Sequence, residues 1–332
     1  MKYEDDILHS PQPISPGDTQ RMSTVRQLLE YRAKLKDSEI NNRLLFELVF
    51  KYSELEKKLK TLNRELTVKQ ERIEQDLSAA AQIQRSLLPK RLNSHEGLDV
   101  AWRFKPCEKI GGDIFNLIQL DDEHWAIYII DVAGHGVPAA MVAVSVFQYL
   151  QPQSGSLMMT QNENLKTQRV RQPAQVLEFL DREFTFERFN NFFTMNYVII
   201  NAKTGRLTSS SAGHPPPIIL RKDGTLQLLR KGGRPLGTID LLLSNDEPIV
   251  YEQEHAQLCP GDKLIFYTDG VHEYQNAKGE FYGNDRFFSR LKELKDQPVD
   301  RLVEMVFKSL MIFGNNTEPK DDVSLLGIEL KT

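Results

Sequence analysis

The longest stretch of this chain without a helix breaker is the feature that most restricts its fold. Residues 20–88 contain neither proline nor glycine and are rich in Leu, Glu, Lys, Arg and Gln. These residue types favour helix at nearly every position, and Pro89 stops a helix that reaches it. The sequence therefore predicts a helical segment over 20–89, preceded by a flexible polar tail over 1–19 and followed by a separate domain over 90–332.

An apolar seam runs along this predicted helix with alternating steps of three and four residues. Its members before the first irregularity are Leu45, Leu48, Tyr52, Leu55, Leu59, Leu62 and Leu66. Steps that average 3.5 residues are typical of a left-handed coiled coil. From Lys69 to Ile73 to Leu77 two steps of four follow each other, a stutter that locally unwinds a supercoil.

Such a seam on one solvated helix would expose a long apolar stripe, so the helix needs a partner. A homodimer through the coiled coil is the simplest partner, and a helix folded back on its own C-terminal domain is the alternative. Residues 20–40 are less regular and are interpreted as a separate helix that packs on the first part of the seam.

After Pro89 the pattern changes to short β-like runs with few helices between them. The predicted strands are 98–105, 113–120, 124–131, 193–201, 206–212, 216–221, 225–230, 249–254, 262–268 and 323–330. The predicted helices are 137–150, 173–189, 284–294 and 298–313, and the polar stretch 151–172 is interpreted as a loop insertion. The succession predicts an α+β sandwich, with two central antiparallel sheets flanked by helices.

Charge and composition exclude several classes of protein. A net charge of −4 gives no basic field for nucleic acid or an anionic membrane. Two cysteines, Cys107 and Cys259, are too few for a disulfide framework or a thiolate zinc cage. The N-terminus does not resemble a signal peptide, and no apolar run is long enough to cross a bilayer. A cytoplasmic protein without a membrane span is therefore expected.

Aspartates stand at the ends of several apolar runs. Asp113 follows two glycines and precedes a strand, Asp131 ends the run 125–130, and Asp269 ends the run 264–268. Asp321 and Asp322 directly precede the last strand. Acidic residues are depleted within strands, and several acids at strand junctions indicate a shared site more than one would.

Two of these aspartates can be placed against each other from the hairpin alone. The strands on either side of residues 121–123 pair as a hairpin, and pairing centred on Asp122 puts Asp113 directly opposite Asp131. Opposed like charges repel, and no Lys or Arg occupies the adjacent strand positions. A bound divalent cation is the economical explanation for such a pair.

A carboxylate site without His or Cys suits a hard cation such as Mg²⁺ or Mn²⁺. Several carboxylates at one locus can hold two ions, an arrangement that activates water for attack on phosphate. Gly111 and Gly112 before Asp113, and the glycines on either side of His135, allow close backbone approach there, although glycines alone are equally typical of a plain tight turn.

Six segments together resemble the metal-dependent PPM phosphatases, in particular the bacterial SpoIIE/RsbU branch. In order along the chain they are 110–115 (IGGDIF), 131–136 (DVAGHG), 211–217 (SAGHPPP), 233–237 (GRPLG), 266–271 (FYTDGV) and 321–324 (DDVS). The preceding residues 80–89 (AAQIQRSLLP) resemble the helix that enters this domain in the family. One segment would be a weak signal, whereas six in the family's order are specific.

The resemblance implies a serine/threonine protein phosphatase with two Mn²⁺ or Mg²⁺ ions. By position, the ions would be held by Asp113, Asp131, the Val132 carbonyl, Asp269, Asp321 and Asp322, with Asp113 and Asp131 central to catalysis. It also implies a phosphorylated protein substrate, often a STAS-type anti-sigma-factor antagonist. Asn116 departs from the family, since many relatives carry an acid there, and His135 is either a general acid or a structural histidine.

No sensor domain is evident in the sequence, so regulation is expected to pass through the coiled coil. A different class of function is a pseudophosphatase or scaffold, which would bind a phosphorylated partner without hydrolysing it. The presence of aspartate at each position that would supply a side-chain ligand favours the enzyme.

Overall fold

A computed structural model of the chain describes residues 26, 27, 29, 39–89, 97–151, 158–162, 167–238, 250–315 and 317–331. The chain divides into two units, residues 1–73 and residues 74–332. The sequence-based division at Pro89, where the helix is predicted to end, stays a prediction. The predicted tail over 1–19 lies outside the described residues.

The predicted long helix is present as α1, Glu39–Leu87. Residues 26, 27 and 29 are also helical, and the rest of the segment 20–38 lies outside the described residues. In the first unit the seam leucines from Leu48 to Leu66 are 47–63% exposed. None of the helices in the described residues combines the length and the apolar character that a membrane span requires.

The second unit contains the strands that the alternating pattern predicts. In chain order they are β1 (Leu98–Lys105), β2 (Ile114–Gln119), β3 (His124–Val132), β4 (Met159–Asn162), β5 (Thr167–Val170), β6 (Phe193–Asn201), β7 (Arg206–Ala212), β8 (Ile218–Leu220), β9 (Leu226–Leu228), β10 (Gly232–Gly233), β11 (Glu254–Gln257), β12 (Lys263–Tyr267) and β13 (Val323–Leu330). The helices that follow α1 are α2 (Gly136–Tyr149), α3 (Pro173–Glu183), α4 (Phe186–Phe189), α5 (Asp269–His272), α6 (Gly283–Glu293) and α7 (Val299–Phe313).

Two sheets form the centre of this unit and confirm the predicted sandwich. One has five strands in the order β1-β13-β12-β8-β9, and the other has six, in the order β10-β7-β6-β3-β2 with β11 also paired to β7. The pairs are antiparallel except for a short parallel pair between β10 and β7. Helices α2 and α3 pack on the six-stranded sheet, and α7 packs on β1 and β13.

The apolar periods of these elements explain why they pack in this way. β3 lies between β6 and β2 and is buried on both faces, which accounts for its continuous apolar run. In α7 the buried side chains follow the helical repeat, a stripe that faces the five-stranded sheet; they are Val299, Leu302, Val303, Val306 and Leu310. Each such side chain contributes about 1.5–3 kcal/mol when it is removed from water.

Three sequence predictions are wrong in detail. The helix predicted over 173–189 is interrupted at residues 184 and 185, because the ring of Phe184 packs between Phe189 and Phe193. The predicted loop 151–172 contains the hairpin β4–β5, which within the described residues pairs only with itself; its polar composition gives no strand pattern in the sequence. The strand predicted over 249–254 lies at Glu254–Gln257 instead.

Tyr251 accounts for the last of these differences. Its side chain is buried and its hydroxyl donates a hydrogen bond to Asp181 Oδ2 at 3.1 Å. The apolar pattern around this position therefore reflects a side chain that packs against α3 and not a strand that pairs in a sheet.

Candidate metal centre

The predicted aspartates come from both sheets. Asp113 directly precedes β2 and Asp131 lies near the end of β3, in the six-stranded sheet. Asp269 begins α5 directly after β12, in the five-stranded sheet. Asp321 and Asp322 directly precede β13, the neighbour of β12. Hydrogen bonds between these segments, described below, bring the junctions of the two sheets together.

The register of the β2–β3 hairpin agrees with the pairing centred on Asp122. Ile114 pairs with Ile130, so Asp113 is the next position opposite Asp131. The Leu120 N–H donates to the His124 carbonyl at 2.8 Å and closes the turn. The hairpin therefore brings two carboxyl groups to one edge without any contribution from the rest of the fold.

Asp113 is held by two hydroxyl groups from the other sheet. Its Oδ2 accepts hydrogen bonds from Ser324 Oγ at 2.6 Å and from Thr268 Oγ at 2.9 Å. Its Oδ1 is buried and has no hydrogen-bond partner. Burial, followed by the charges of Asp131 and Asp322, raises the pKa of Asp113 well above its usual value.

The remaining carboxyl groups also repel one another. Burial, with the charges of Asp269, Asp321 and Asp322, raises the pKa of Asp131 to about 8. Burial is also the main reason that the pKa of Asp321 is raised to about 6, and the charge of Asp269 adds to it. Asp269 Oδ1 is a second buried oxygen without a partner. The site thus concentrates negative charge that the folded chain does not itself neutralise.

Asp322 has a distinct place because both of its oxygens bind backbone. Oδ1 accepts from the Cys107 N–H at 2.9 Å and Oδ2 accepts from the Asp113 N–H at 3.2 Å. A Cβ on Gly111 would lie 2.0 Å from Asp322 Oδ2, so only glycine fits at that position. Asp322 therefore fixes the loop that carries Asp113.

Two other glycines permit close backbone approach. A Cβ on Gly112 would lie 2.7 Å from the Val132 carbonyl oxygen, and one on Gly270 would lie 2.0 Å from the Asp322 carbonyl oxygen. The glycines predicted to allow tight approach beside Asp113 are thus needed for the packing of these segments against one another.

The residues present fit a hard divalent cation. Within the described part of the chain, no ion pair to Lys, Arg or His involves any of the five aspartates. Two buried carboxylate oxygens lack partners, and carboxylate oxygens are the ligands that Mg²⁺ and Mn²⁺ prefer. A cation would offset the repulsion that raises the pKa values of Asp113, Asp131 and Asp321.

The aspartates are not equally close to one another. In the described residues, ligand atoms of Cys107, Asp321 and Asp322 lie within 4.8 Å of one another, and Asp113, Asp131 and Asp269 are not in that group. Cys107 was not predicted as a site residue because the sequence gives it no motif of its own. Thr268 and Ser324 were not predicted as site residues either. Thr268 directly precedes Asp269, and Ser324 lies two residues after Asp322.

The two histidines of the family-like segments differ in their surroundings. His135 is 66% exposed and its Nδ1 lies 2.8 Å from Glu108 Oε1. His214 is buried, with a hydrogen bond at each ring nitrogen. Asn116 pairs opposite Tyr128, and its Oδ1 accepts from the Leu117 N–H. In the strand alternation it points to the sheet face opposite that of Asp131.

A cleft of about 570 Å³ includes Cys107, whose N–H bonds to Asp322, but none of the five aspartates lines it. Its lining residues include Cys107, Glu108 and Gly136. A larger cavity of about 780 Å³, lined by residues of β6, β7 and β11 among others, contains none of the aspartates.

Comparison with known proteins identifies related phosphatases. Phosphoserine phosphatase RsbU of Bacillus subtilis is 28% identical over 268 residues, which cover 79% of this chain and 72% of RsbU. Phosphoserine phosphatase RsbP of the same organism is 24% identical over 261 residues, which cover 77% of this chain and 58% of RsbP. The match thus spans less than two thirds of RsbP.

Solved structures show the same fold. The SiaA-PP2C domain of Pseudomonas aeruginosa has a TM-score of 0.62 at 23% identity, and the match covers 79% of this chain and 98% of that domain. The PP2C phosphatase domain of SpoIIE from Bacillus subtilis has a TM-score of 0.54 at 14% identity, and covers 72% of this chain and 64% of that structure.

The family assignment rests on the catalytic-domain sequence. Residues 121–331 match the family described as Stage II sporulation protein E (SpoIIE), and they make up more than half of the chain. The chain therefore belongs to the SpoIIE family of PP2C-type phosphatase domains, homologous to those of RsbU and RsbP.

Proposed function

We propose that the chain is a metal-dependent protein phosphatase that hydrolyses phosphoserine or phosphothreonine on a partner protein. The observation that carries the proposal is the set of carboxyl groups that both sheets contribute, with buried oxygens of Asp113 and Asp269 that lack partners. The RsbU and RsbP relatives, each named a phosphoserine phosphatase, support the same activity.

In this proposal two Mn²⁺ or Mg²⁺ ions are held by aspartates and one backbone group; these are Asp113, Asp131, Asp269, Asp321, Asp322 and the Val132 carbonyl. When bound, the ions supply an activated water and neutralise charge on the phosphoryl oxygens. Thr268 and Ser324 hold Oδ2 of Asp113, which leaves its Oδ1 for a cation. Asp322 fixes the loop before Asp113 through two backbone N–H groups, and no Ser or Cys nucleophile is required.

Hydrolysis of p-nitrophenyl phosphate by the full chain tests the activity. We expect release of nitrophenol only with Mn²⁺ or Mg²⁺, and loss of release in Asp131→Asn, since that change removes a charged ligand from the acidic group. The matched control is Asp99→Asn, where an exposed aspartate pairs with Lys331 at the surface. Equal release by Asp131→Asn and the unsubstituted chain would contradict the proposal.

The partner is proposed to be a STAS-type anti-sigma-factor antagonist phosphorylated on serine or threonine. The support is the resemblance to the RsbU branch. Incubation of a lysate with Mn²⁺ and either the unsubstituted chain or Asp131→Asn, followed by phosphopeptide mass spectrometry, tests it. Phosphopeptides from a STAS protein should decline with the active chain only, and their persistence would exclude this substrate class.

A pseudophosphatase that binds a phosphorylated partner is the second candidate. Its specific support is the placement of both Asp322 oxygens on backbone N–H groups, which shows that at least one of the acids has a structural use. The two functions separate in one assay, because a scaffold would retain the phosphorylated partner and release no phosphate with Mn²⁺.

Dimerisation through α1 forms part of the proposal. The seam leucines of the first unit are about half exposed, and burial against a second copy would remove this apolar surface from water. Light scattering on Leu59→Asp should give a monomer, since the seam would then carry a charge. Thr61→Asp is the matched control off the seam, and a dimer in both variants would contradict the coiled coil.

Regulation through α1 is proposed because its last turns contact the loop before Asp113. Gln84 is buried; its Nε2 donates to the Gly111 carbonyl at 2.7 Å and its Oε1 accepts from the Gly111 N–H at 3.2 Å. Ala81 and Leu77 pack with Ile110 beside this bond. A change in the helix would therefore reach the loop that carries Asp113.

Changing Leu77 and Leu87 to Ala tests this regulation in the full chain. Turnover should change much more than metal affinity, because the substitutions loosen the contact of the helix with the loop before Asp113 and remove none of the carboxyl groups. Unchanged turnover would contradict regulation through α1.

The cytoplasmic location expected from the sequence stays a prediction, and cell fractionation tests it.

A further inference from the structure

His214 lies between the two sheets and contacts both of them. Its Nδ1 lies 2.6 Å from Thr194 Oγ in β6, and its Nε2 lies 3.1 Å from the Tyr267 carbonyl oxygen in β12. The two sheets of a sandwich otherwise face each other through packed side chains and not through a shared ladder of backbone hydrogen bonds. A side chain that bonds to both sheets can therefore set their spacing locally.

Each contact of His214 lies beside a proposed metal ligand. Thr194 is the ladder partner of Asp131 across the β3–β6 pair. Tyr267 ends β12, two residues before Asp269. The imidazole thus joins β12, which leads to Asp269, to β6, which pairs with the strand of Asp131.

The ring is fixed in one tautomer by its partners. A carbonyl oxygen only accepts, so Nε2 carries the proton and donates to Tyr267, and Nδ1 accepts from the Thr194 hydroxyl. Burial lowers the pKa of His214 to about 3, so the ring is neutral at neutral pH. A neutral ring adds no positive charge that would compete with a cation nearby.

The loop that carries His214 is itself held in place. The His214 carbonyl oxygen accepts from Ser211 Oγ at 3.2 Å, and the next carbonyl, of Pro215, accepts from Asn196 Nδ2 at 2.7 Å. Gly213 has φ +67, and a Cβ there would lie 2.7 Å from Pro235. The loop therefore has little freedom to let the imidazole move.

We propose that His214 is a positioning residue that holds the strands of Asp131 and Asp269 at the separation needed to share the metal centre. The inference rests on the proposed function only in requiring that those aspartates bind a cation. Partners of this kind, which orient the groups that bind a metal, commonly contribute about 10–100-fold to metal affinity.

Titration calorimetry with Mn²⁺ on the full chain tests the proposal without reference to activity. His214→Phe keeps an aromatic ring and removes both hydrogen bonds, and we expect it to raise the dissociation constant for Mn²⁺ about 10–100-fold. His214→Asn keeps an amide oxygen near the Nδ1 position and His214→Gln keeps an amide N–H near Nε2. Each should give a smaller loss because one of the two bonds survives.

The matched control is a second Thr–His pair on the same sheet. His255 Nδ1 lies 3.0 Å from Thr208 Oγ on the neighbouring strand, at an exposed position with no proposed ligand beside it. His255→Phe should leave Mn²⁺ affinity unchanged. For the proposed reaction, His214→Gln should lower kcat and leave KM for the phosphorylated substrate unchanged, because the substrate does not touch this ring.

The outcomes separate the inference from the proposed function. If the unsubstituted chain binds no Mn²⁺, the proposed metal centre itself is wrong. If the unsubstituted chain binds Mn²⁺ and a folded His214→Phe binds it equally well, His214 does not position the aspartates. Should His214→Phe fail to fold, Thr194→Val removes one bond alone, and unchanged affinity in Thr194→Val and His214→Gln together would overturn the inference.

Discussion

Replacing Asp131 with Asn should stabilise the chain in EDTA while it removes the metal centre. Burial, with the charges of three neighbouring aspartates, raises the pKa of Asp131 from 3.8 to about 8. The unfolded chain loses this proton near pH 3.8, whereas the folded chain keeps it up to about pH 8. The folded state therefore loses stability from this group as the pH rises between those values.

The size of the effect follows from the pKa values. The unfolded-state pKa of 3.8 lies about three units below pH 7, and each unit corresponds to about 1.4 kcal/mol. Ionisation of Asp131 therefore disfavours folding by about 4 kcal/mol at pH 7. Asparagine has nearly the same shape and no charge. Asp131→Asn should recover a large part of this free energy of unfolding at pH 7 and almost none of it at pH 4.

Urea unfolding in EDTA and in Mn²⁺, at pH 7 and at pH 4, measures the prediction. In Mn²⁺ at 100 times its dissociation constant the unsubstituted chain should gain about 2.7 kcal/mol, and Asp131→Asn should gain much less. Asp99→Asn, at an exposed aspartate, should change stability by about 0.5 kcal/mol or less in every condition. The reasoning is refuted if Asp131→Asn is less stable than the unsubstituted chain in EDTA at pH 7, or if Mn²⁺ stabilises both equally.

Three further predictions concern the same domain. Asp181 is fully buried and paired with Arg234, so Asp181→Asn should lower the free energy of unfolding by about 3–5 kcal/mol in urea, whereas Glu123→Gln in an exposed pair should leave it nearly unchanged. Folding lowers the pKa of His214 from 6.5 to about 3, so the folded chain has its full stability above pH 6.5 and loses stability as the pH falls below that value. Unfolding curves should show that the free energy of unfolding decreases by about 2 kcal/mol between pH 6.5 and 5, and His214→Gln should not show this decrease. Gly111→Ala places a Cβ 2.0 Å from an oxygen of the carboxylate that fixes the Asp113 loop, so calorimetry should show weaker Mn²⁺ binding with the helix content retained by circular dichroism.

Local pattern was sufficient for most of the secondary structure. The strands Leu98–Lys105, Phe193–Asn201, Arg206–Ala212 and Val323–Leu330 have the bounds predicted from alternation. Local pattern failed where one side chain decided the conformation, as at Phe184, whose ring packs in the core and interrupts a predicted helix. It failed also for the hairpin β4–β5, because a polar run without apolar alternation gives no local signal for a strand.

The candidate metal centre, too, was predictable from local sequence only in part. The opposition of Asp113 and Asp131 followed from one short turn, since the length of a hairpin connection fixes its register. The hydroxyl groups that hold Asp113 were not predictable in this way, because Ser324 is 211 residues away in sequence. Nor was the bond between Gln84 and Gly111, which joins a helix to a loop 27 residues later.

The sequence by itself determined where α1 ends, which runs are strands, and which acids stand at strand junctions. These features depend on residue propensities and on repeats of 2, 3.5 or 3.6 residues, and both are properties of residues that are close together in the chain. Only the tertiary structure decided that Asp322 binds backbone and that His214 spans both sheets. Those contacts exist because two sheets pack face to face, and their relative placement follows from the whole core and not from any local period.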